Sequence, residues 1–213
     1  MPGERLVLSS SHITIGPLVA EDFGPLFCWI NDVSAAGLDF AYRPVDMMAH
    51  QQWWDSLGKD QTRVVFAIRK AIEPSIIGYI QINGINSVHR SAEIGIRIGE
   101  EENRGQGYGK EALRLAVEFC WNHLNLNRVQ LVVFKHNVRA IRAYNAVGFR
   151  KEGVLRKAAF IGGGWVDLVV MAALRPAPLR RSKLLAAAPA LLPLPRIRAT
   201  TEVNAPESER HVA

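Results

Sequence analysis

The segment Ser91 to Ile98 alternates strictly, with Ala92, Ile94, Ile96 and Ile98 on one side and Glu93, Gly95 and Arg97 on the other. That is the period of a strand buried on one face. A run of the other period follows: Ala112, Leu115, Ala116, Phe119 and Cys120 recur at helical spacing and predict an amphipathic helix over 107–122. Arg128 to Phe134 is almost continuously apolar, as expected at the centre of a sheet. Residues 137–147 predict a second helix, with Asn137 at its N-cap and Gly148 just past its end. Strands are also predicted at 12–15, 63–69 and 76–82, the last leading into Asn83-Gly84, and at 149–160 and 165–174 around Gly162-Gly163-Gly164. Helices are predicted at 20–31 and 46–58, the latter starting near Asp46. Strands early and late with helices between them make one α/β (α+β) domain.

Past Leu174 the pattern dissolves. Six of the eleven prolines fall in the last 39 residues, beside an alanine-rich patch at 186–190. Residues 12–174 are therefore expected to form the domain, 1–11 an N-terminal extension and 175–213 a disordered basic tail. The tail carries seven Lys/Arg against three Asp/Glu, +4 of the net +6, so the domain itself is close to neutral. That balance argues against a nucleic-acid partner, which needs a basic stripe on the folded part. The longest apolar runs fall short of a membrane span, and Met1-Pro2-Gly3-Glu4-Arg5 does not open a signal sequence, so a cytoplasmic protein is expected. Cys28 and Cys120, the two cysteines, sit in apolar helical stretches typical of buried free thiols, and no metal-ligand spacing is present.

Candidate chemistry concentrates in Glu102-Asn103-Arg104-Gly105-Gln106-Gly107-Tyr108-Gly109-Lys110, between the alternating strand and the clearest helix. Glycines at 105, 107 and 109 clear side chains from where backbone N–H groups must converge, and the helix N-terminus behind them adds positive potential. That is the make-up of a phosphate or pyrophosphate site. A dinucleotide fingerprint fails, because its third glycine falls on Lys110. A nucleotide P-loop fails too, because Glu111 stands where Ser or Thr is needed. A plain glycine turn before a surface helix remains open at this point.

Arg104-Gly105-Gln106-Gly107-Tyr108-Gly109 resembles the pyrophosphate loop R/Q-x-x-G-x-G/A of GNAT acetyltransferases. Asn137-Val138-Arg139-Ala140-Ile141-Arg142-Ala143-Tyr144-Asn145-Ala146-Val147-Gly148-Phe149 is similar to the N-x-x-A-x-x-x-Y-x-x-x-G-F segment of the same family, one strand later. The resemblance spans roughly residues 10–174 and is strongest to ribosomal-protein N-terminal, spermidine and nucleotide-sugar amine acetyltransferases. Trp29-Ile30-Asn31-Asp32 and Trp165-Val166-Asp167-Leu168-Val169-Val170-Met171 support it.

The resemblance implies a mixed, mostly antiparallel sheet of about six to seven strands flanked by about four helices, splayed between the fourth and fifth strands. It implies acetyl-CoA as co-substrate and no metal, with the pantetheine arm paired to backbone at Ile96 and Ile98. Backbone from Gly105 through Gln106, Gly107, Tyr108, Gly109 and Lys110 would hold the pyrophosphate, aided by Arg104, with Asn137 near the arm. Tyr144 matches the family's proton donor, and a phenol's reference pKa near ~10 keeps it protonated at neutral pH. Glu93 is the candidate base, with an ordinary strand glutamate as the competing reading; Asp39, Asp46 and His50 are weaker candidates. Trp29, Tyr42 and Arg43 are expected at the acceptor, within an aromatic-rich stretch that includes Phe40. The favoured acceptor is a protein N-terminal amine; the alternatives are a small-molecule amine (an amino-sugar nucleotide or polyamine) and a catalytically weak acetyl-CoA-binding sensor. A monomer or homodimer is expected.

Overall fold

The computed structural model describes residues 7–33 and 42–177. The Asp39 and Phe40 candidates lie outside the described residues, as do positions 1–6 of the extension and 178–213 of the tail. In chain order the strands are β1 Leu8–Ser9, β2 Ile13–Gly16, β3 Val64–Lys70, β4 Ile76–Asn86, β5 Ser91–Ile98, β6 Arg128–Phe134, β7 Arg150–Ile161 and β8 Gly164–Leu174. The helices are α1 Phe23–Ile30, α2 Met47–Ser56, α3 Tyr108–Asn122 and α4 Val138–Val147. Each predicted element forms, within a residue or two for most boundaries.

The strands make one eight-stranded sheet in the order β1-β2-β3-β4-β5-β6-β8-β7. All neighbours are antiparallel except β5 and β6. The strand beyond the expected count is β1, two residues inside the segment read as an extension, with Leu8 opposite Ile15. It is too short to leave a periodic signal. The strand β4 also runs past Gly84, whose φ of 58° lets the chain jog where the register with β5 shifts.

Alternation assigns the two faces of the sheet. Ile94 on β5 packs in the main core with Ala112, Leu113, Ala116 and Cys120 of α3, and Ile96 and Ile98 pack against that core. On the opposite face Ala67 and Tyr79 join Leu26 and Trp29 of α1 and Trp53 and Trp54 of α2. Ala67 pairs with Tyr79 and Tyr79 with Arg97, so Arg97, Gly95 and Glu93 belong to the α1/α2 face.

Cys120 is fully buried, and burial pushes its thiol up to about 12. Cys28, expected to be buried, is exposed. It occupies the solvent stripe of α1, whose buried positions are Leu26 and Trp29.

The entry to α1 is fixed by an ion pair that is almost dry. Asp22 Oδ2 accepts from Arg69 Nη2 at 2.5 Å and from the Val19 N–H at 2.8 Å, with the Asp22 side chain 3% exposed. Breaking such a pair from one side leaves the Arg69 guanidinium, 15% exposed and held by the Pro74 carbonyl at 2.8 Å, without its carboxylate. Asp22→Ala is expected to cost about 3 kcal/mol and to lower Tm by roughly 6–12 °C, measurable by calorimetry.

Candidate active site

The strands β5 and β6 pair in parallel over three residues only: Ser91 with Arg128, Ala92 with Val129 and Glu93 with Gln130. Beyond Glu93 they part, leaving a V-shaped gap inside the sheet with Glu93 at its vertex. The gap opens a cleft of about 420 Å³ between Ile94–Ile98 on one side and Val132–Phe134 on the other. Its remaining wall comes from the turn before α3 and from α4.

That turn is built for close approach. Gly105 and Gly107 have φ of 84° and 89°, a region costly for residues with a Cβ. A Cβ placed on Gly95, Gly105 or Gly107 would meet nothing within 4 Å, so these glycines face open space. Gly107 caps α3, its carbonyl accepting from Lys110 at 3.0 Å and Glu111 at 3.1 Å. The Gly107, Tyr108 and Gly109 amides precede the first intrahelical acceptor and point out of the helix end, whereas the Lys110 amide, expected to face the pyrophosphate, is committed to the Gly107 carbonyl. Glu111 is turned away from the cleft: its carboxylate accepts from Ser10 Oγ at 2.5 Å and contacts His12 Nδ1 at 2.9 Å. The Ser10 hydroxyl, and next His12, hold that carboxyl below the usual glutamate range. The anchor fixes the start of α3 to the corner between β1 and β2.

Opposite the turn, Asn137 caps α4 through its side chain, which accepts from the Ala140 N–H at 3.1 Å. Gly148, at φ 109°, closes the helix, with the Phe149 N–H returning to the Tyr144 carbonyl at 3.1 Å. Asn137, Ala140 and Tyr144 all line the cleft. Their spacing of three and four residues is one helix stripe, so the sequence segment N-x-x-A-x-x-x-Y is the face that α4 shows to the gap. The Tyr144 ring is half-buried, 6.0 Å from the ring of the fully buried Phe149.

Nine of the residues expected at the site line this one cleft: Tyr144, Ile96, Ile98, Arg104, Gly105, Gly107, Gly109, Lys110 and Asn137. Gln106 and Tyr108 lie in the same turn without lining it. Glu93 stands at the vertex, one residue from the lining. Arg104 lines the cleft, yet its guanidinium is turned to the backbone, donating to the Ile98 carbonyl at 3.2 Å and to the Gly99 carbonyl. Trp29 is only 5% exposed, with its indole N–H donating to Glu100 at 2.8 Å. Tyr42 and Arg43 are exposed on the approach to α2, and neither lines the cleft. Asp46 caps α2, accepting from Ala49 at 2.8 Å. His50 is buried beside Phe23, Phe27 and Trp53, its Nε2 donating to the Phe23 carbonyl at 3.1 Å.

Sequence reasoning did not single out Arg97, Asn103, Arg139 or Ala143, which also line the cleft. For Ala143 the α4 stripe itself was a usable signal; for Arg97, its place two residues beyond Gly95 was another. The described lining carries Arg97, Arg104, Lys110 and Arg139 and no carboxylate, so its potential suits an anionic ligand. Among the described residues no cluster of His, Cys, Asp or Glu could hold a metal ion, and no helix is long and apolar enough to cross a membrane.

Comparison with known proteins agrees with this geometry. The family model described as an acetyltransferase (GNAT) domain matches residues 12–150. Spermidine N(1)-acetyltransferase of Vibrio cholerae is 33% identical over 111 residues, 52% of this chain and 64% of that enzyme. The Escherichia coli K12 enzyme of the same name is 29% identical over 163 residues, 76% of this chain and 86% of its own length. The crystal structure of the Vibrio cholerae spermidine N-acetyltransferase in complex with CoA and spermine matches with a TM-score of 0.72 at 26% identity, covering 78% of this chain and 96% of that one.

Proposed function

Since the chain belongs to the GNAT family of N-acetyltransferases, which use acetyl-CoA as co-substrate, we propose that it acetylates the primary amine of a small molecule, with polyamines the first class to test. The observation that carries this reading is the combination of a sheet split beyond Glu93 with a positive-φ glycine turn at the mouth of α3. The sequence-based preference for a protein N-terminus gives way here, because the similar enzymes are named for spermidine.

Acetyl-CoA supplies an activated acyl group whose thiolate must leave protonated. The cleft suits it: amides at the turn and the α3 N-terminus can hold the pyrophosphate, and Lys110 and Arg139 add positive charge. Backbone exposed at Ile96 and Ile98 by the splay has no β6 partner; Ile96 and the Ile98 N–H can pair with the arm, while the Ile98 carbonyl accepts from Arg104. Tyr144, on the α4 stripe, is the proposed donor of the proton that the thiolate takes up. Glu93 lies on the α1/α2 face, the side from which the acceptor would enter. An alkylamine with a reference pKa near ~10.4 arrives charged, and Glu93 would take its proton, directly or through water.

The test is thiol release from acetyl-CoA by the full chain against a panel of spermidine, spermine, amino sugars, amino acids and short peptides. Turnover is expected with a small amine. Turnover confined to peptides would restore the protein N-terminus, and release no faster than background with every acceptor would defeat the proposal.

A further inference from the structure

Gly99 and Glu100, directly after β5, are gripped from three directions. The Gly99 N–H donates to the Ile77 carbonyl at 3.0 Å, holding the chain to β4. Arg104 reaches back to the carbonyls of Ile98 and Gly99. From the opposite layer, the Trp29 indole covers the Cα of Gly99 so closely that an added Cβ would overlap its ring. The same indole donates its N–H to Glu100 Oε1 at 2.8 Å. The Glu100 carbonyl then accepts from Asn103, and the next one, of Glu101, from Arg104, winding the chain into the glycine turn.

Trp29 belongs to the core of the α1/α2 layer with Leu26, Ala67 and Ile76. Its indole therefore spans from that layer to the base of the turn that serves the other end of the cleft. We infer that Trp29 and Glu100 form a latch that positions the pyrophosphate turn from the acceptor-side layer, so that Trp29 is a positioning residue rather than an acceptor contact. The inference rests on the acetyl-CoA reading of the cleft. A turn held at both carbonyls and at one side chain keeps its amides aimed without a ligand to order them, which lowers the entropic cost of binding. Loss of the latch loosens the aim while leaving every ligand-contacting group in place.

The test measures CoA affinity by calorimetry on the full chain, beside Tm. Glu100 is exposed, so Glu100→Ala leaves the core intact. It is expected to weaken CoA binding by ~5–10-fold with Tm shifted by no more than about 2 °C, while Glu100→Gln, which keeps an acceptor oxygen, restores most of the affinity. Trp29→Phe keeps a ring and loses the N–H, and should weaken binding similarly. Gly99→Ala should weaken it further, and adding Trp29→Leu to make room should recover part of that loss, a non-additive pair. Wild-type affinity in both Glu100→Ala and Trp29→Phe would overturn the inference, as would losses that track Tm alone or additivity between positions 29 and 99. A wild-type chain with no heat of association with CoA would instead defeat the acetyl-CoA reading itself.

Discussion

Replacing Gly107 by valine is expected to weaken acetyl-CoA binding by about 100-fold or more, measured by calorimetry or as KM. Two costs add. At φ 89° a β-branched residue strains the backbone, and relieving that strain rotates the peptide planes flanking the helix cap. Those planes carry the amides that would face the pyrophosphate, and the new side chain would stand in the space now open beside them. Gly109 provides the contrast. Its φ is not in the left-handed region, and a Cβ there would rest 3.6 Å from Ile98 and 3.7 Å from Ile96, ordinary contact distances. Gly109→Ala should keep CoA affinity within about 3-fold, since neither strain nor overlap arises. Equal losses at the two positions would mean that the turn works by flexibility rather than by one fixed shape.

Removing a single oxygen at Tyr144 should be nearly as damaging, through rate instead of affinity. Tyr144→Phe keeps the ring against Phe149 and the α4 stripe, so folding and CoA binding should hold. With the phenol gone, the thiolate must draw its proton from water, and kcat is expected to fall about 100-fold or more with KM for acetyl-CoA within about 2-fold. Steady-state thiol release with the best acceptor of the panel measures both parameters. A variant with unchanged kcat would remove Tyr144 from the chemistry and favour a domain that senses acetyl-CoA without turning it over.

The parts of the site that sequence made legible share a property: each depends on local spacing. The alternation in Ser91–Ile98 assigns faces on β5 without knowledge of what covers them. Asn137, Ala140 and Tyr144 declare one stripe of α4 by their intervals, and Asn137 and Gly148 mark its ends by their own backbone and hydrogen-bonding preferences. The glycines at 105 and 107 mark where side chains must be absent, and both adopt a positive φ in the fold. What stayed hidden depends on partners distant along the chain. Gly99 looks like any glycine until Trp29, seventy residues earlier, is found against it. Arg104, in a phosphate-binding motif, reads as a ligand contact, and only the fold reveals two of its nitrogens donating to carbonyls five and six residues back. The strand β1 is two residues long, below the reach of any periodic argument, and its importance comes from Ser10 and His12 beside it meeting Glu111 about a hundred residues on.

The two faces of β5 set a limit on how this protein can change. Its even-numbered isoleucines complete the hydrophobic interior under α3, while Glu93, Gly95 and Arg97 look the other way. Swapping Gly95 or Arg97 on the outer set spares the interior. Gaining or losing one residue between Ser91 and Ile98 is a different event: it inverts every later position, driving a glutamate or an arginine inward and apolar bulk outward. This face of the strand is therefore open to point substitution and closed to insertion or deletion. The β7–β8 hairpin turn at Gly162-Gly163, remote from that parity, has no such restriction.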